Sequence, residues 1–448
     1  MRGFRTSTDQ LRSARPELAD RLMKVNKELE TVTTSILQNN DLSRSQGGLV
    51  GIDEADRFGR ILTEQRMALE ERDDLLSYIR GLPGFEDHLT APRFNSLRAA
   101  AARGPVIIIN HCKWRSDILI LLHNSPPSLI PTADGFYDRA NRLKDNLVET
   151  RNKYSPGSKK YESALRSTLE ELYTLVGGPV IEKLRKLQIP EQSRVWWCPT
   201  SVFCALPLHA MGPILSDGKK LYFSDIYISS YTPTLSALIQ SQAYNAMTSD
   251  RPSILLVGRP NDGLPGVWNE ILAIAMHHKN SIQTLVSEDA TLDKVKEALP
   301  AHPFLHLSCH GNLEPGKPFE AWFKLEGKDR LTLLEIVRSQ LPTAEFAFLS
   351  ACHSAELTDR SIADEALHLA AAMQYCGFRS VIGTLWAVVD EDGPEVAQHF
   401  YKSLSSSEGK KTPAYMRSAR ALRNAVQKLR RKRGVSLERW VNFVHYGA

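Results

Sequence analysis

Between Pro16 and Leu37 the apolar residues Leu18, Leu22, Val25, Leu29, Val32 and Ile36 recur in alternating steps of four and three. That one-sided stripe predicts a helix with a seam for a partner helix. A Ser/Gly break at Ser43 to Gly48 separates it from a second helical stretch, residues 54–79, which Gly81-Leu82-Pro83-Gly84 stops. The two read as an antiparallel hairpin. No further repeat follows, and one hairpin cannot bury a solenoid core. Residues 1–95 are therefore either the remnant of a repeat array or, the preferred reading, a helical pair packed on the next domain.

From Gly104 the pattern changes. Pro105-Val106-Ile107-Ile108-Ile109-Asn110 reads as a buried strand, and Leu129-Ile130-Pro131-Thr132 as another. Long helices are expected over 139–153 and 159–187, divided by Pro156-Gly157. A β section follows: Arg194 to Pro199, Val202 to Leu208 and Leu221 to Phe223. Residues 96–250 thus read as an α/β unit of their own.

Beyond Arg251 strand and helix alternate regularly. The expected strands are 254–258, 282–286, 304–308, 346–351 and 380–386. The expected helices are 267–277, 291–299, 332–340, 362–375 and 393–404, with a last one over 413–433. These strand runs are continuously apolar, which requires burial on both faces. Residues 251–448 are therefore expected to form a parallel sheet sandwiched by helices.

Composition narrows the class without naming it. The chain has 448 residues, 42% hydrophobic and 24% charged, room for two or three globular domains. No apolar run spans a bilayer, so no membrane partner is expected. Met1 to Ser7 lacks the apolar run of a secretory signal. Six cysteines are too few for a disulfide scaffold, which points to a reducing compartment, cytoplasmic with a nuclear address as the variant. The net charge of +5 is concentrated in Lys428-Leu429-Arg430-Arg431-Lys432-Arg433. Without interleaved aromatics this reads as a solvated helix end, not a nucleic-acid patch.

Two expected strands end in chemically useful residues. Phe304 to Ser308 runs into Cys309-His310-Gly311, and Phe346 to Ala351 into Cys352. A thiol attacks a carbonyl as thiolate, so an imidazole that takes its proton is the minimum equipment for covalent acyl transfer. In a parallel sheet, reactive groups gather beyond the carboxyl ends of the strands. Read this way, His310 is the base and Cys352 the nucleophile, with backbone N–H groups near Gly311 and Cys352 holding the oxyanion. Cys352 as a buried core thiol is the competing reading, and the residues alone leave both open.

A third turn, after the strand ending at Trp386, carries Asp390, Glu391 and Asp392. Asp390 is a candidate for a pocket that takes a basic side chain, while Asp392 would cap the helix opening at Gly393-Pro394. Asp364 and Glu365 form a second acidic pair, for which the helix dipole is the simpler explanation. His302, His306, Cys309, His310, Cys352 and His353 raise zinc binding, but no pair is repeated at zinc-site spacing. No metal or other cofactor is expected. Leu256 to Gly263 has neither Gly-Lys-Ser/Thr nor GxGxxG, so nucleotide binding is not expected.

With these residues the chain resembles the CHAT domain family, caspase-like domains often found behind tetratricopeptide repeats, in its fungal form. The resemblance rests on Leu307-Ser308-Cys309-His310-Gly311, Leu349 to Ala355, Ala363 to Ala370 and Val381 to Trp386. Trp196-Trp197-Cys198-Pro199 and Ala205-Leu206-Pro207-Leu208-His209-Ala210 add to it. It implies a caspase/separase-type fold in which a degenerate protease-like unit precedes the active one. It also implies a His–Cys dyad peptidase at His310 and Cys352, acting on protein substrates in regulated signalling or in stress and defence. Leu385-Trp386-Ala387-Val388-Val389-Asp390 is similar to a separase stretch whose last acid receives basic side chains, but has Ala387 where separases have Asp. The alternative is a catalytically silent signalling scaffold whose N-terminal helices bind another helical protein.

Overall fold

The computed structural model describes residues 11–45, 52–83, 85, 90, 92–213, 220–243, 253–277, 281–312, 320–339, 341–350, 369–386, 388–406 and 412–448. The chain divides into two compact units, Met1–Ser96 and Leu97–Ala448. In the first, helices Pro16–Ser45 and Ile52–Arg80 pack together through Leu22 and Ala19 on one and Leu75, Leu76 and Ile79 on the other. The start of one helix meets the end of its partner, so the pair is antiparallel.

Among the described residues the second unit carries fourteen strands. They are β1 (Val106–Asn110), β2 (Asp117–Leu121), β3 (Ser128–Pro131), β4 (Arg194–Pro199), β5 (Ile228–Tyr231), β6 (Ile254–Gly258), β7 (Ile282–Val286), β8 (Phe304–Ser308), β9 (Gly311–Asn312), β10 (Trp322–Lys324), β11 (Arg330–Thr332), β12 (Phe346–Leu349), β13 (Ser380–Thr384) and β14 (Phe443–Gly447). Eleven of them form one mostly parallel sheet flanked by helices, in the order β3-β2-β1-β4-β5-β14-β13-β12-β8-β6-β7, and β9 to β11 form a small separate one. The boundary expected at residue 250 falls between β5 and β6, and the sheet runs through both sides of it.

The direction of the strands matters for function. β1, β4, β5 and β14 are mutually parallel, as are β13, β12, β8, β6 and β7. β13 and β14 pair antiparallel. The two blocks therefore run in opposite senses, and their carboxyl ends lie at opposite edges of the sheet.

The seam between the blocks carries a buried polar cluster. His445 of β14 is buried, with Nε2 2.7 Å from both Ser380 Oγ and Ser418 Oγ, while Arg194 Nη2 lies 3.2 Å from its Nδ1. Trp196 Nε1–H donates to the Gly447 carbonyl at 2.7 Å. Such bonds are required where polar groups lie this deep.

Three expectations need correction. Val202 to Leu208 is not a strand but lies in two 3-10 turns, Ser201–Ala205 and Leu208–Ala210, and Pro207 between them has no N–H to give a ladder. Leu221 to Phe223 leads instead into a helical turn, Phe223–Ile226. Helix 159–187 is interrupted by a π-helical turn at Tyr173–Gly177, where a Cβ on Gly177 would come 2.9 Å from Met211 Sδ. β2, β5, β14 and the short strands β9 to β11 are ones the pattern did not announce.

Candidate active site

β8 and β12 lie side by side in parallel register, with Phe346 opposite Phe304 and Leu349 opposite Leu307. The apolar side chains of both are buried to 0–1% exposure, and Ser350 N–H then donates to the Leu307 carbonyl at 2.8 Å. Two chain ends thus leave the sheet together at one edge. His310 follows β8. Cys352, two residues after Ser350 in sequence, lies outside the described residues, as do Asp364 and Glu365.

His310 is half-buried, and its Nε2 lies 2.9 Å from the backbone carbonyl of Asp262. A carbonyl oxygen only accepts, so Nε2 carries the hydrogen and Nδ1 is the basic nitrogen of the neutral ring. Gly311 opens β9, whose ladder with β10 joins Lys324 N–H to the His310 carbonyl at 2.7 Å. That bond fixes the backbone of the turn and does not draw on the N–H of Gly311.

The carbonyl that orients His310 is itself held by a charge cluster. Asp262 sits in the 3-10 turn Pro260–Asp262 just beyond β6. Its carboxylate accepts both Nε–H and Nη2–H of Arg259 at 3.1 Å and lies 3.3 Å from Lys324 Nζ. Arg259, 5% exposed, also pairs with Glu326 and donates to the Ser287 carbonyl at 2.7 Å. Burial pushes the Asp262 carboxyl up, but Arg259 and Lys324 outweigh it and hold it below its ordinary value.

Beneath the same edge lies a buried polar chain. Ser308 Oγ–H donates to Glu270 Oε2 at 2.5 Å, His306 Nε2 lies 3.1 Å from Glu270 Oε1 but off the hydrogen-bond axis, and His306 Nδ1 is 3.0 Å from the Tyr401 hydroxyl. Glu270 is 2% exposed and His306 fully buried inside β8. Sequence reasoning missed Glu270; an acid inside an otherwise apolar helix, Gly266–His277, was the available signal.

The acids after β13 separate in role. Asp390 Oδ2 accepts the Gly266 N–H at 2.7 Å and so caps helix Gly266–His277. A Cβ on Gly266 would stand 2.6 Å from the Asp390 carbonyl oxygen, which requires glycine there. Asp392 does not act as a cap. It is 1% exposed at the first position of helix Asp392–Ser405, and its carboxylate takes Arg439 Nε–H and Nη2–H at 2.7 and 2.6 Å. This is a bidentate buried pair.

Three of the thiols are poorly placed for attack. Burial pushes Cys198 and Cys376 up to about 12, and Cys309 is fully buried. Among the described residues no three His, Cys, Asp or Glu side chains converge as metal ligands would, and no helix is long and apolar enough to cross a membrane. The basic run near the C-terminus is partly paired: Arg430 Nη2–H donates to Asp225 at 2.7 Å and its guanidinium lies 5.3 Å from the Trp440 ring.

The solved structures similar to the chain include the Saccharomyces cerevisiae separase–securin complex, at 14% identity over 95% of this chain and a TM-score of 0.39. The chain spans 27% of that separase chain. The Arg specific cysteine proteinase gingipain R is similar at 12% identity over 70% of this chain and 74% of its own, with a TM-score of 0.38. The complex of Porphyromonas gingivalis RgpB pro- and mature domains is similar at 11% identity, covering 77% of this chain and 78% of its own, with a TM-score of 0.39. No curated protein matches the chain. The family model of the CHAT domain matches residues 166–448, which is most of the sheet-bearing unit, and the chain belongs to the CHAT domain family.

Proposed function

We propose that the chain is a cysteine endopeptidase in which His310 and Cys352 form the reacting dyad. The observation that supports this most directly is the His310 tautomer: with Nε2–H donated to the Asp262 carbonyl, Nδ1 is left as the base at the carboxyl end of β8. The neighbouring strand β12 leads to Cys352 within three residues.

The thiol proton passes to His310 Nδ1 as Sγ bonds to the peptide carbonyl carbon, and the N–H groups of Gly311 and Cys352 hold the oxyanion. Collapse breaks the C–N bond, and the amine leaves with the proton from His310. Water then attacks the thioester, giving its proton to His310, which returns it to the departing thiolate. No metal or other cofactor enters these steps. Asp390, with Asp364 and Glu365, is proposed to receive a basic side chain of the substrate. The Gly266 bond fixes the Asp390 carboxylate in place for that role.

A peptide-library cleavage assay on the full chain tests the reading. Cleavage is expected to favour Arg or Lys before the scissile bond and to vanish in Cys352→Ala. Equal cleavage by C352A, or none by wild type in any activated condition, argues for the scaffold instead.

A further inference from the structure

We infer that the opposite edge of the sheet carries a second acyl-transfer site, a Ser201–His111 pair that acts on carboxylic esters. β1 and β4 are parallel neighbours, with Val106 opposite Trp196. His111 follows β1 and Ser201 follows β4. This repeats, in the block of reversed strands, the arrangement in which His310 follows β8 and Cys352 follows β12.

The geometry is that of a nucleophile with its base. Ser201 Oγ lies 3.0 Å from His111 Nδ1, and His111 Nε2 lies 3.2 Å from the Tyr137 carbonyl. The carbonyl can only accept, so Nε2 carries the hydrogen and Nδ1 accepts from the Ser201 hydroxyl. A backbone carbonyl therefore orients the imidazole here as Asp262 orients His310. The ring is held further by stacking on Tyr137 at 4.5 Å and by the edge of Phe203 at 5.5 Å. Thr200 ties the two strand ends together, accepting from His111 N–H at 2.9 Å and donating to the Ile109 carbonyl at 3.0 Å.

Ser201 also has an unusual backbone. Its φ is 54°, in the left-handed region that non-glycine residues rarely occupy, and it stands where a strand turns into the 3-10 turn Ser201–Ala205. A strained strand-to-helix turn is how a serine nucleophile is presented above a sheet, here without the flanking glycines of the known motif. His111 is buried while Ser201 is partly exposed, so the base is shielded and the nucleophile can be reached. The aromatic rings beside the imidazole suit an apolar acyl group.

In the reaction Ser201 Oγ bonds to the ester carbonyl carbon as its proton moves to His111 Nδ1. The Val202 N–H at the head of the turn is assigned to the oxyanion. Collapse breaks the ester C–O bond and the alcohol leaves with that proton. Water, activated by His111, then cleaves the acyl-serine, and Ser201 recovers its proton.

Treating the intact 448-residue protein with a fluorophosphonate probe and locating the adduct by peptide mass spectrometry tests this. Ser201 is expected to be labelled in wild type and equally in Cys352→Ala, and labelling is expected to fall by about 100-fold in His111→Asn. Ser201→Gly, which suits the left-handed φ, keeps the fold and loses the label. Should His111→Asn not fold, Ser201→Cys in the C352A background replaces it: alkylation at position 201 is expected well below pH 8, faster than at Cys112 or Cys204. Labelling of Ser201 that is absent from folded wild type, or unchanged by H111N, overturns the inference, as does an ordinary-thiol pH profile for S201C.

Discussion

The Nε2 of His310 and the backbone carbonyl of Asp262 are 2.9 Å apart, and this one contact joins the charge cluster around Arg259 to the base at the end of β8. The carbonyl belongs to a short turn with few other constraints. What keeps it aimed is the Arg259 guanidinium, which grips the Asp262 carboxylate while also pairing with Glu326.

Arg259→Met is therefore expected to cost about 3 kcal/mol of stability, because Asp262 and Glu326 lose their shared cation in a largely buried place. Urea unfolding measures it. The same change should slow thiol labelling at Cys352 even in the folded protein, since the ring of His310 loses its fixed orientation.

At the helix cap, Gly266→Ala drives a methyl to within 2.6 Å of the Asp390 carbonyl oxygen and is expected to cost about 1–3 kcal/mol. Asp390→Ala should cost about 1 kcal/mol as a lost cap, and Asp390→Asn much less. Thermal unfolding reads both. If Asp390 also binds substrate, D390N lowers kcat/KM for Arg and Lys substrates far beyond its effect on stability, and the two roles come apart.

Stability should vary with pH through groups far from the site. Burial pulls His209 down to about 4 and His445 well below its ordinary 6.5, the latter helped by Arg194. Both are neutral in the fold and take up protons more readily when unfolded. Their contribution is complete above about pH 6.5 and is lost as pH falls toward 4, amounting to about 3 kcal/mol for His209. Glu345 runs the other way. Burial pushes it up to about 7 against the pull of Arg379, so its contribution is complete below about pH 4.5 and is lost as pH rises through 7. Glu345→Gln should stabilise the protein at pH 8 and not at pH 4, by urea unfolding at each pH.

The legible parts of the chain were those whose burial follows simple pattern. β6 and β8 fall at the boundaries their apolar runs suggest, because parallel strands covered on both faces have no reason to alternate, whereas β7, at the sheet edge, leaves Gln283 and Thr284 exposed. β5 and β14 did not announce themselves. They place Ser230 and His445 in the interior, where Arg194, Ser380 and Ser418 satisfy them, and those partners come from elements far apart in sequence. The same difference divides the candidate site. His310 beside Gly311 at a strand end carries a residue-type signal, whereas the Asp262 carbonyl that fixes its tautomer carries none. Asp392 illustrates the limit of local rules: its position suggested a cap, but Arg439, 47 residues on, claims its carboxylate.

Site-resolved alkylation of Cys352 with iodoacetamide, followed from pH 5 to 9 in wild type and His310→Ala, tests the dyad most directly. The account predicts that wild-type Cys352 reacts well below the ordinary thiol range near pH 8.5, and that H310A slows it by about 100-fold at pH 6.5 while leaving Cys112 unaffected. An unchanged rate and pH profile at Cys352 in a folded H310A protein would contradict it.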